Sequence, residues 1–147
     1  ANGSNLFNIQ SWLPLQIHRF SRSLNDLRPE GKILTLSNLF VLEAKLDVYP
    51  QFNVGPFAWR TSIFLSPEKR NQLGIISPTE LEDFLKKDPP DAILTGFESV
   101  YEGFTINDPG GLESPFVDYA IKNGYDKIEL DTAFFPNTIH LWMKPSN

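Results

Sequence analysis

The chain has 147 residues, 41% hydrophobic and 21% charged, which suits one domain able to close its own core and is small for two. Its net charge is -5 and its 13 Lys and Arg residues form no run longer than Lys86-Lys87, so no basic stripe marks a nucleic-acid partner. There is no cysteine, which excludes disulfides, thiolate catalysis and cysteine-ligated zinc, and no apolar run approaches the ~20 residues that span a bilayer.

Residues 1–5, ANGSN, read as a frayed start. Over 11–28, Leu13, Ile17, Phe20, Leu24 and Leu27 recur at intervals of four and three, predicting an amphipathic helix with Ser11 as its cap and Pro14 in its first turn. KILTLS at 32–37 reads as a short interior strand. NLFVLEAKL after it is either a loop at the sheet edge or a short helix. Residues 56–65 suit a helix with Pro56 near its start. In SPEKRNQLG, Ser66 caps, Pro67 takes the first helical position and Gly74 stops the helix. Ser77 and Glu80 form a capping box, with Leu81, Phe84 and Leu85 on one face and Asp88-Pro89-Pro90 as terminator. DAILTGFE at 91–98 predicts the second strand, and 99–113 a long polar loop. Ser114 and Pro115 open another helix that Asn123-Gly124 closes. DKIELD at 126–131 and TIHLWMK at 138–144 are the last strands, around a turn at FFPNT; Ile139, Leu141 and Met143 share one face of the final strand and His140 and Trp142 the other.

This order predicts one α/β domain over 1–147. It has three layers: a small, mixed, mainly parallel sheet with helices on both faces and a C-terminal β-hairpin. If the first strands are parallel, loops 38–55 and 97–113 lie at their C-terminal edge, where open α/β sheets bind ligands.

Chemistry is sparsely signalled. The position after the first strand reads SNLFVLEAK, without the glycines of a dinucleotide fingerprint, and there is no P-loop and no GxSxG elbow, so no cofactor is expected. The two histidines, His18 and His140, lack metal-motif spacing, so no metal is expected; a zinc site would need both to meet a carboxylate, and a triad would need one beside a serine. Glu43 follows the first strand and Glu98 ends the second, so both are candidates for one crevice. The stretch LDVYPQFNVGPFAWR, 46–60, concentrates Tyr49, Phe52, Phe57 and Trp59. Burial favours such side chains by about 1.5–3 kcal/mol each, so several should cap the sheet edge. Arg60 is placed to stack on Trp59 or to clamp an acid. The ligand-binding candidates are therefore Glu43, Tyr49, Trp59, Arg60 and Glu98. They suit a glycan- or peptide-binding groove lined by Tyr49, Trp59 and Glu43, or a stand-alone hydrolase with the Glu43 and Glu98 carboxyls within ~10 Å.

Thr35-Leu36-Ser37, Leu42-Glu43, Tyr49-Pro50 and Gly55-Pro56-Phe57-Ala58-Trp59-Arg60 together carry a family likeness. The segment resembles the C-terminal soluble part of bacterial integral-membrane glycosyltransferases of the dolichyl- or polyprenyl-phosphate-sugar dependent type, protein mannosyltransferase-like or ArnT-like. PPDAILTGFE looks like the second strand of such tails and YAIKNGYDKIEL like their final helix and strand, so the likeness covers 12–144. The chain departs from it at Asn38, where proline is common, and at Ala44-Lys45, which replaces a more glycine-rich pair. The resemblance implies a non-catalytic domain on the extracytoplasmic face of the membrane, because the catalytic acid and the lipid-linked donor belong to the membrane portion. Its partners would be the transmembrane portion of the same polypeptide and a glycan or lipid-linked sugar acceptor, with no nucleic acid.

Overall fold

The computed structural model describes residues 12–98, 111–130 and 138–145. Its elements in chain order are α1 (Leu13–Asp26), β1 (Ile33–Leu34), α2 (Asn38–Glu43), α3 (Pro56–Thr61), α4 (Pro67–Leu73), α5 (Leu81–Lys87), β2 (Ala92–Thr95), α6 (Ser114–Lys122), β3 (Asp126–Leu130) and β4 (Ile139–Met143). Short 3-10 turns at Pro50–Phe52, Ser62–Phe64 and Pro78–Glu80 join several of them. Among the described residues no helix is long and apolar enough to cross a membrane.

The four strands are ordered β1-β2-β4-β3. β1 and β2 are parallel, with Ile33 opposite Ala92. β4 is antiparallel to both β2 and β3, so β1, β2 and β3 share one direction and β4 is inserted between the last two. The α/β class, the mixed sheet and the antiparallel C-terminal pair are therefore as the sequence implies, while β4 separates β3 from β2, so that only the β1–β2 pairing is parallel and the sheet is not mainly parallel in its pairing. The predicted turn at FFPNT and most of the 99–113 loop fall outside the described residues, as does Ser11.

Period-two alternation assigns the sheet's two faces. Leu34, Ile93 and Trp142 point into one buried cluster with Tyr49, Phe52, Trp59, Leu81, Leu85, Phe116 and Tyr119, supplied by the 46–60 stretch, α5 and α6. Ile33, Ala92, Leu94, Ile139 and Leu141 point into the other, under Phe20 and Leu24 of α1 and Val41 of α2. Of the α1 stripe, Phe20 and Leu24 are buried, whereas Leu13 and Leu27 at its ends are exposed.

The helix signals mostly act as their chemistry demands. The Ser66 side chain accepts from the Lys69 N–H, and Gly74 closes α4 at φ 64°. The Ser77–Glu80 capping box is formed, around a 3-10 turn that leads into α5. Ser114 is different: it is the first residue of α6, and Glu113 occupies the cap position. Proline is accepted at either of the first two helical positions, and here Pro115 takes the second, which shifts the cap by one residue.

The path after β1 corrects the expected position of the 38–55 segment. α2 runs back along the sheet, and Val48 forms a parallel bridge with Ile33 while the Ile33 N–H donates to the Asp47 carbonyl at 2.8 Å. Residues 43–48 thus lie toward the N-terminal end of β1, not at its C-terminal edge. The chain then climbs again: the Asn38 side chain donates to the Phe52 carbonyl at 2.9 Å, tying the start of α2 to the 50–52 turn.

Candidate functional site

Three of the four aromatics of the 46–60 stretch, Tyr49, Phe52 and Trp59, are core. Tyr49 is buried at its lower end, and its hydroxyl donates to the Asp88 carbonyl at 2.7 Å. Burial is also the main reason its phenol titrates well above the usual tyrosine range. Phe52 packs edge-on against Phe116 at 5.5 Å between ring centres and tilts against Trp59 at the same spacing. Trp59 is 3% exposed, and its indole N–H donates to the Leu112 carbonyl at 2.8 Å, fixing α3 to the approach of α6. Neither Tyr49 nor Trp59 offers a free ring face for stacking a sugar. The same stretch also presents apolar surface. Val54 and Phe57 are exposed, as are Ile63 and Phe64 just beyond it, Phe57 by 70% and Phe64 by 72%. Seven residues separate Phe57 from Phe64 along α3 and its 3-10 continuation, which brings both to the same side.

At the C-terminal end of β2 the rim is acidic and partly dry. Glu113, 5% exposed, receives the Gly96 N–H on one carboxylate oxygen at 2.6 Å, with the Glu98 N–H at 3.4 Å from the same atom. Its other oxygen is buried and has no hydrogen-bond partner among the described residues. Burial pushes this carboxyl up to about 7, against the pull of the Gly96 and Glu98 N–H groups and with some help from the nearby Glu98 charge. Glu98 is itself raised by burial, and the Arg60 guanidinium acts in the opposite direction. Gly96 is required here by its φ of 113° and because a Cβ would collide with the Thr138 carbonyl.

Glu43 is elsewhere. Its carboxylate meets His18 Nδ1 at 3.0 Å in a groove between α1 and α2, near the N-terminal end of β1. The structure therefore brings Arg60, Glu98 and Trp59 to one region and leaves Glu43 and Tyr49 outside it. The two histidines are also separated. His18 is on α1, which covers one face of the sheet, and His140 shares the opposite face with Trp142. Burial lowers the His140 pKa, Lys127 adds to this and Glu129 opposes it. Ser21 lines the His18 groove, but its hydroxyl donates to the Phe40 carbonyl at 2.8 Å, so no nucleophile is activated there. Among the described residues no three His, Asp or Glu side chains are placed to hold a metal ion.

Glu113 is the residue whose role the sequence hid. It is one of several acids in a polar loop, and its neighbour Ser114 carries the better capping signal. Its clue is its position immediately before a Ser-Pro helix start, which places an acid at a helix N-terminus. No family model, curated protein or solved structure matches the chain.

Proposed function

We propose that the chain is a non-catalytic, extracytoplasmic domain of a membrane glycosyltransferase-like protein, packing against the membrane-embedded portion of the same polypeptide and helping to present the acceptor. One observation carries this reading. The stretch with the family likeness, 46–60, is locked to the core by Tyr49, Phe52 and Trp59, yet it turns Val54 and Phe57 outward, with Ile63 and Phe64 following. Surface of this kind, with little charge in it, suits an apolar partner.

The two rival readings lose the geometry they need. A glycan groove on Tyr49 and Trp59 has no exposed ring to stack on. A hydrolase using Glu43 and Glu98 has its acids toward opposite ends of the sheet, whereas paired-carboxylate chemistry needs them ~5–9 Å apart. The test is incubation of the isolated chain with a polyprenyl-phosphate sugar and candidate acceptors. No transfer is expected from the domain alone, with transfer by the full-length polypeptide; turnover by the isolated chain overturns the reading.

A further inference from the structure

The sheet has two edges, and they are finished differently. At β1 the outer side is covered: Val48 bridges to Ile33, and the Ile33 N–H donates to the Asp47 carbonyl at 2.8 Å. At β3 no strand lies on the outer side among the described residues, because β3 ends the order β1-β2-β4-β3. Alternate residues of an edge strand direct their N–H and C=O groups outward, where another strand can pair with them. Natural edges are often spoiled for such pairing by proline, by a bulge or by brevity. β3 has none of these. It is as long as β4, contains no proline, and pairs with β4 residue for residue from Asp126–Met143 to Leu130–Ile139.

What remains is charge. The register with β4 puts Lys127 and Glu129 on the face of Trp142 and His140, and Asp126, Ile128 and Leu130 on the face of Leu141. Lys127 and Glu129 are exposed and Ile128 is half-buried. The Lys127 ammonium leans back over the Trp142 ring of β4, at 5.4 Å, rather than across the open edge. Neither Lys127 nor Glu129 forms an ion pair among the described residues. Charges of one sign would repel any second copy of β3. One of each sign, two residues apart, selects a register instead.

Two copies of β3 that pair antiparallel do so about a two-fold axis normal to the sheet, so each face continues into the same face of the other copy. Centred on Lys127, the pairing sets lysine against lysine; centred on Glu129, it sets glutamate against glutamate. Centred on Ile128, all 5 residues are paired, Ile128 meets itself, and Lys127 stands opposite Glu129 on both sides of the axis.

We propose that β3 is a docking edge for a second copy of this chain, the two strands pairing antiparallel about Ile128 and joining two four-stranded sheets into one. A strand pair this short is smaller than a standard interface, so the dimer is weak, with a Kd on the order of 0.1–1 mM. β3 lies outside 54–64, so the proposal stands or falls separately from the membrane reading.

Sedimentation equilibrium at low salt, with the chain at up to about 1 mM, reads the association, and 15N amide shifts over the same range locate it. A monomer–dimer equilibrium with concentration-dependent shifts centred on 126–130 is expected. Lys127→Glu and Glu129→Lys each set like charges opposite one another and should weaken the dimer about tenfold with an unchanged Tm. An equimolar mixture of these two variants restores both opposite-charge pairs, and should associate within about threefold of the parent. The mixture carries the same summed charge as two parent copies, so overall repulsion cannot account for the rescue. A monomer throughout the range overturns the proposal. So does association that the single substitutions leave unchanged or that the mixture fails to restore. Association abolished by Phe57→Ser instead would place the contact on the apolar surface of 54–64, and overturns it equally.

Discussion

Replacing Glu113 by Gln removes a buried ionisable group with little change in the side chain's shape. The carboxyl is raised from its ordinary 4.5 to about 7, chiefly by burial. The folded protein therefore keeps a proton that the unfolded chain releases between these values. The stabilisation this gives is fully present below about 4.5 and is lost as pH rises through about 7. At 1.36 kcal/mol per pKa unit the effect amounts to about 3 kcal/mol, and with the residue only 5% exposed little of it is screened. Urea denaturation at a series of pH values measures it. The stability of Glu113→Gln relative to the parent should rise by about 3 kcal/mol between pH 4.5 and pH 8, whatever the offset between the two proteins at acid pH. His140 titrates in both proteins and cancels in this difference, whereas Glu98, whose charge acts on Glu113, cancels only in part. Two curves that stay parallel within about 0.5 kcal/mol would refute the assignment of a dry, protonated Glu113.

Other substitutions probe the fold around the site. Gly96→Ala drives a methyl group into the Thr138 carbonyl at a backbone angle alanine resists, and should cost about 2–4 kcal/mol in denaturant unfolding. Phe52→Ala should cost about 3–5 kcal/mol, while Phe57→Ser, at a ring 70% exposed, should change stability by less than about 0.5 kcal/mol. Comparable losses for the two would contradict the division of 46–60 into core and surface. The Arg70 fork holds the Glu80 carboxyl down at about 2, assisted by Ser77 and opposed by partial burial. Its contribution is present above about 4.5 and lost as pH falls through about 2, so Glu80→Gln should flatten the acid limb of the stability profile.

Local rules were legible wherever one residue decides the backbone. Ser66, the Ser77–Glu80 box, Gly74 and Gly124 act where their chemistry places them. The faces of β4 were also readable, because Trp142 and Leu141 must part company across a pleat. What the sequence did not reveal is tertiary. β4 inserts beside β2, where the Trp142 indole N–H donates to the buried Thr95 hydroxyl at 3.0 Å, and nothing within either strand announces that pairing. Glu43 and Glu98 each follow a strand and so look equivalent in sequence. The six-residue α2 returns the chain past β1 and separates them. Glu113 was obscured because its value lies in burial, which depends on Gly96 and α6 meeting across a long loop.

The exposed side of 54–64 is proposed to rest on the membrane-embedded portion of the same polypeptide. A photoactivatable residue at position 57, in the full-length polypeptide within its native membrane, tests this directly. An intramolecular adduct to a membrane-spanning segment is expected, with much less from the same residue at position 71, on the exposed side of α4. Equal labelling from the two positions, or none from position 57, would contradict it.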